Sequence, residues 1–162
     1  MHIVDRIRKN HGLEHATVAV LLAQNHKIRG IAGNALHNGF FILADLDTVD
    51  IRNASEEALW RMQNGESDLA VSPFCGTNIV VGAGLTSIAA ILSIKTARNF
   101  PHSIPRVLSN SVLALLLAKP LGNWVQAKYS TSWNVEKMQI GEIRQYKIGN
   151  FVVHKITTIF QD

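Results

Sequence analysis

From Val71 to Ile94 the chain runs for 24 residues without a charged side chain. Only Pro73 and small polar groups interrupt it. A helix needs about 20 such residues to cross a bilayer, so this run dictates either a membrane segment or a deeply buried helix. Gly82 and Gly84 are compatible with a membrane helix, where neighbouring helices satisfy the backbone. Lys95 and Arg98 close the run, and Pro101 and Pro105 mark a turn. A second apolar stretch, Val107 to Val125, contains Lys119 and Pro120. A lysine near a helix end can reach the interface with its charge. The two stretches read as an apolar helical hairpin in or against a membrane. Two buried helices of a soluble core are the alternative.

Charged residues make up 17% of the chain and apolar residues 47%, where a soluble domain carries roughly a quarter charged. The deficit falls between about Thr77 and Val125; the flanks have ordinary globular composition. Three regions follow: an N-terminal α+β region over 1–76, the hairpin over 77–127, and a C-terminal β-hairpin region over 128–162. The expected fold class is α+β.

The net charge of +4 is uneven. Residues 1–76 hold seven basic and nine acidic side chains, and the remainder holds nine and three. No Lys/Arg cluster with interleaved aromatics occurs, which argues against nucleic-acid binding. The bilayer is the expected partner, with room for a membrane protein beside it. Cys75 is the single cysteine, so no intrachain disulfide can form. Met1 to Lys9 is polar and charged, which predicts no cleavable signal peptide. The expected location is the inner or plasma membrane of a bacterium. Lys95, Arg98 and Arg106 between the apolar segments favour a cytoplasmic loop. That orientation would export the N-terminal region without a signal, so the preferred reading keeps both terminal regions cytoplasmic.

Ile3 to about Gln24 predicts a helix: Val4, Ile7, His11, His15, Val18, Leu21 and Leu22 recur at three- and four-residue steps. Asn25, Gly30 and Gly33 end it. Ile31–Leu36 and Phe40–Leu46 flank His37-Asn38-Gly39, a hairpin signal. Asp45, Asp47 and Asp50 lie in a turn-rich stretch. A short helix is expected from Ser55 to Asn64, with Glu56 and Glu57 in its first turn and Gly65 as its stop. At the C-terminus, Ile140 to Ile148 and Phe151 to Phe160 read as strands joined at Gly149-Asn150.

The chemically pointed segment is His11-Gly12-Leu13-Glu14-His15. On a helix, residues four apart stack on one face, their Cβ atoms about 6 Å apart, so two imidazoles can share one metal ion. Glu14 can orient a ligand or accept a proton from water at the ion. The H-x-x-E-H pattern resembles the inverted zinc-peptidase signature, which implies zinc, with His11 and His15 as ligands and Glu14 as general base. Two inward histidines satisfied by backbone or carboxylate partners are the bland alternative. Zinc needs a third protein ligand. Cys75, in a Gly-flanked turn, is the leading candidate, with Glu66, Asp68, His37, Glu56 and Glu57 as contenders. Gly12 leaves room for a ligand near the helix start.

Other features carry less. Gly30-x-x-Gly33 lacks the pattern of a nucleotide loop. Asp45, Asp47 and Asp50 lack the EF-hand spacing. His2, His26, His102 and His154 read as surface or interface residues. Trp60, Trp124 and Trp133 read mostly as packing, with Trp124 and Tyr129 placed like interfacial aromatics.

Two segments taken together, Gly12-Leu13-Glu14-His15-Ala16-Thr17 and Pro73-Phe74-Cys75-Gly76-Thr77-Asn78, resemble an uncharacterised bacterial family. It is a domain of unknown function found mainly in photosynthetic bacteria. Gly39-Phe40-Phe41, Glu57-Ala58-Leu59 and Gly65-Glu66 also match, so the resemblance covers roughly residues 10 to 130. It implies membrane association and no established activity. The His-Gly-x-Glu-His and Cys-Gly-Thr motifs are also similar to a group of bacterial membrane proteins catalogued as predicted metal-dependent enzymes. That group usually has Arg before the cysteine, whereas this chain has Phe74, which removes a charge that would favour the thiolate.

The leading expectation is a membrane-anchored metal-binding protein, a hydrolase or peptidase if an enzyme. The alternative is a non-catalytic membrane scaffold or assembly factor in which His11, Glu14, His15 and Cys75 form a structural cluster.

Overall fold

The computed structural model describes residues 1–24, 30–97 and 99–161. Asn25, His26, Arg98 and the His102 side chain, which carried expectations above, lie outside the described residues. The fold is α+β. It divides into a first unit of Met1–Ser72 with Ala127–Asp162 and a second of Pro73–Gln126.

In the first unit, helix α1 spans Ile3–Gln24, as the periodicity predicts. Strands β1 (Ala32–Leu36) and β2 (Gly39–Leu43) form the expected hairpin. Its turn differs from the Asn-Gly expectation. Leu36 pairs with Gly39, so His37 and Asn38 are the turn residues. Both keep negative φ, and Gly39 takes a φ of 141° at the strand's first position. There a Cβ would run into the carbonyl of Ile156, so the glycine serves the approach of the next strand as well as the turn.

Helix α2 is Thr48–Gln63, seven residues longer at its start than the sequence suggests. Asp47 is its N-cap and Asp50 lies in its first turn, where the helix dipole favours an anion. Glu56 and Glu57 therefore sit mid-helix, paired four residues away with Arg52 and Arg61. The β-branched Val49 and Ile51 are weak helix formers. Burial of Ile51, which is fully enclosed, outweighs that propensity. Gly65, at φ 99°, follows the helix end, and a 3-10 turn occupies Ser67–Ala70.

Strands β3 (Met138–Ile148) and β4 (Phe151–Phe160) are joined at Gly149-Asn150. The sequence reads two separate hairpins. The structure joins them into one antiparallel sheet of order β1-β2-β4-β3, with Phe40 opposite Ile156. Helix α1 packs on β1 and β2, and α2 on β3. Leu13, Val20 and Leu21 of α1, Ile51 and Met62 of α2, and Phe40, Ile42 and Ile156 of the sheet form the core.

The second unit is two long helices, α3 (Gly76–Lys95) and α4 (Phe100–Val125). Both are long and apolar enough to cross a membrane. Helix α4 starts seven residues before the expected Val107, because Pro101 falls in its first turn, where a missing N–H costs nothing. Pro105 then gives up only one backbone bond, to the Pro101 carbonyl. The faces between α3 and α4 carry small and polar residues. Gly82, Ser93, Ala114 and Ala118 are enclosed, while Ile79, Val80, Leu108 and Leu116 stand exposed.

Candidate metal centre

His11, Glu14 and His15 lie on one face of α1, as their spacing requires. The two imidazoles are 4.4 Å apart between ring centroids and inclined by 60°. Glu14 and His15 are buried and His11 is half-buried. One Glu14 oxygen, Oε2, lies 3.9 Å from His11 Nε2.

Each histidine is held by the backbone. His11 Nδ1 is 2.9 Å from the Ser130 carbonyl oxygen, and His15 Nδ1 is 2.8 Å from that of Ala70. A carbonyl oxygen only accepts, so both Nδ1 atoms carry the proton and donate. In the neutral rings this puts the lone pair on Nε2. It is the arrangement found behind metal-ligating histidines, whose second nitrogen donates to a carbonyl or carboxylate that fixes tautomer and ring orientation. The donor chemistry therefore fits a metal ion.

Two glycines shape the surroundings. A Cβ at Gly33 would collide with the Glu14 carboxylate, so the β1 backbone passes directly over that group. A Cβ at Gly12 would meet the Ser132 carbonyl and the Ala70 side chain. The room that sequence reasoning assigned to a ligand at Gly12 is filled by the protein's own chain. Asn10, which sequence reasoning missed, is fully buried. Its Nδ2 donates to the Leu36 carbonyl at 2.6 Å, and its Oδ1 accepts from the Thr158 hydroxyl at 2.8 Å. It pins α1 to β1 and β4 one residue before the first histidine. An Asn inside a helix is a weak helix former, and that local misfit was the available signal.

Among the contenders for a third ligand, Glu57 accepts from Gln24 at the far end of α1, and Glu66, Asp68 and His37 are exposed. Cys75, in the second unit, is the N-cap of α3. Its sulfur accepts from the Thr77 backbone N–H and lies 3.4 Å from the Thr77 hydroxyl.

Some histidine and tryptophan expectations are overturned. His154 is fully buried on β4, facing the core beside Val152 and Ile156, rather than at the surface. Burial lowers its pKa below the ordinary value, with backbone groups of Ala44 and Leu46 opposing the shift. Trp60 and Trp133 are more than half exposed rather than mostly packed.

The chain belongs to the family described as Domain of unknown function (DUF6391), which matches residues 6–143. An uncharacterized protein of Picosynechococcus sp. (strain ATCC 27264 / PCC 7002 / PR-6) is 37% identical over 89 residues, covering 50% of this chain and 43% of that protein. The chain thus aligns with less than half of that relative's length. No solved structure matches.

Proposed function

We propose that this is a membrane-anchored metal-binding protein in which His11 and His15 hold a zinc-like divalent ion, Cys75 supplies the third ligand, and Glu14 serves as general base of a hydrolytic reaction. The observation that supports it most is the paired Nδ1–H donation of both imidazoles to backbone carbonyls, which orients two Nε2 lone pairs from one helix face. Cys75 follows Ala70, the His15 partner, by five residues in the chain. Such a tether reaches at most about 18 Å, so chain connectivity is compatible with this ligand set. When bound, the ion supplies Lewis acidity and lowers the pKa of water. Glu14, buried under Gly33, would accept the proton. The anchor is the α3–α4 hairpin, and both terminal regions lie on the cytoplasmic side.

One observation favours the scaffold reading. The histidines clasp Ala70 and Ser130, and these residues stand at the two points where the chain leaves and rejoins the first unit. A structural clasp would occupy that place.

Metal content of the purified protein, by mass spectrometry beside a His11→Ala/His15→Ala variant of equal helicity, tests the site. The expected result is one ion per chain, lost in the variant. No ion in either protein after purification without chelator and zinc add-back ends the metal reading. Glu14→Gln then separates the roles. Metal retained with the cellular role lost supports catalysis; metal and role both retained supports the clasp.

A further inference from the structure

The apolar stripe of α1 runs past the core. Ile3, Val4 and Ile7 share one face of the first two turns, and all three are exposed, Val4 at 65%. The 128–133 segment meets the helix at Arg8, in the next turn. Arg8 Nη2 donates to the carbonyls of Lys128 and Thr131 at 3.0 and 3.1 Å, and the Ser132 N–H donates to the Arg8 carbonyl at 2.9 Å. This segment presents two aromatics to solvent, Tyr129 at 60% and Trp133 at 51% exposed. The nearby charges are mostly cationic: Arg6, Arg8 and Lys9 on the helix and Lys128 on the segment, against Asp5. Arg6 is occupied over the Phe160 ring and Arg8 by the backbone bonds, and Lys9 lies across the helix from Ile7, which leaves the exposed Lys128 as the cation for a partner. The amino-terminal end of α1 adds a positive dipole.

We propose that the first two turns of α1 and the Lys128–Trp133 segment form a seat on the bilayer surface for acidic phospholipid headgroups. Exposed aliphatics beside a lysine and amphipathic aromatics are what an interfacial segment presents: rings at headgroup level, apolar side chains just below, the cation toward anionic lipid. Chain continuity supports this occupant over a protein. Lys128 follows α4 by three residues, so if α4 crosses the membrane, Lys128 and Tyr129 leave it at headgroup depth. The inference rests on the membrane part of the proposed function. It adds that the first unit itself touches anionic lipid.

The test uses the full chain in vesicles containing lipids brominated at shallow acyl positions, with single-tryptophan variants. Trp60→Phe/Trp124→Phe reports Trp133, and Trp60→Phe/Trp133→Phe reports Trp124 in α4. The expected result is Trp133 quenching that is strong when phosphatidylglycerol replaces part of the phosphatidylcholine and weak without it. High salt should remove the difference, and so should Lys128→Glu. Trp124 quenched with Trp133 unquenched overturns the seat and spares the anchor. Neither quenched overturns both. Trp133 quenched equally in the two lipids overturns the acidic headgroup requirement. Trp133 blue-shifted yet unquenched overturns the seat in favour of a protein contact.

Discussion

The two units use the same residue chemistry in opposite ways. In the first, the large apolar side chains are inside: Phe40, Ile42, Ile51 and Ile156 are fully buried. In the second, the inside holds Gly82, Ser93, Ala114 and Ala118, and the large side chains face outward, Leu116 at 70% exposed. Water would penalise that second arrangement, since contiguous exposed apolar surface is rare on soluble monomers. Lipid does not penalise it. Helices in a bilayer gain little from burying leucine against leucine, and associate instead through small residues and hydrogen bonds between helices. The difference teaches that hydrophobic patterning has to be read against a solvent, and the pattern of the second unit is the one that lipid would favour.

The comparison breaks most visibly at the large apolar residues. Phe40→Ala should cost about 3–5 kcal/mol, the usual penalty for emptying an aromatic site in a packed core. Leu116→Ala should stay within about 0.5 kcal/mol, as exposed substitutions do. Reversible denaturation in detergent, followed by circular dichroism, measures both. A large Leu116 effect would mean that the outward face of α4 packs on protein.

An intermediate effect belongs to the polar contact between the helices. Asn110 Nδ2 donates to Ser93 Oγ at 2.8 Å. Such pairs are worth about 0.6 kcal/mol on average in a membrane protein. A double-mutant cycle over Ser93→Ala and Asn110→Ala should return a coupling of that order. Zero coupling would show that the two helices separate without losing the bond.

Sequence reasoning reaches the two units unequally. Helix α1 and both apolar helices are legible because a long period, or a long absence of charge, is a local property. The joining of β2 to β4 is not. Phe40 and Ile156 meet across more than a hundred residues of chain, and no local pattern marks one hairpin as the neighbour of the other. Within the site, His11, Glu14 and His15 follow from helix spacing alone. Their partners do not, because the acceptors at Ala70 and Ser130 are backbone carbonyls, which every residue has. Gly12 was visible as a residue where something comes close, but a glycine does not say whether the visitor is a ligand or the protein's own Ser132. The start of α2 was hidden by Val49 and Ile51, whose propensity yields to burial.

His154 sharpens the contrast from inside the first unit. Asn10, His11 and His15 each have a hydrogen-bond partner, as buried polar groups normally do. His154 is fully enclosed; its ring nitrogens make no well-formed hydrogen bond to a described residue, though backbone groups of Ala44 and Leu46 lie close enough to favour its charged form. Desolvation of this imidazole outweighs the backbone groups of Ala44 and Leu46, so its pKa falls below the ordinary value. The unfolded chain, in which this ring titrates near 6.5, then binds more protons than the folded one as pH drops. Stability is greatest above that value and declines as pH falls from it toward the depressed folded pKa. The smallest of the expected effects is therefore a slope: unfolding midpoints flat above neutrality and falling on the acid side. His154→Leu should flatten the part of that slope near pH 6. An unchanged slope would assign it to other groups and would mean that the ring accepts a proton in place.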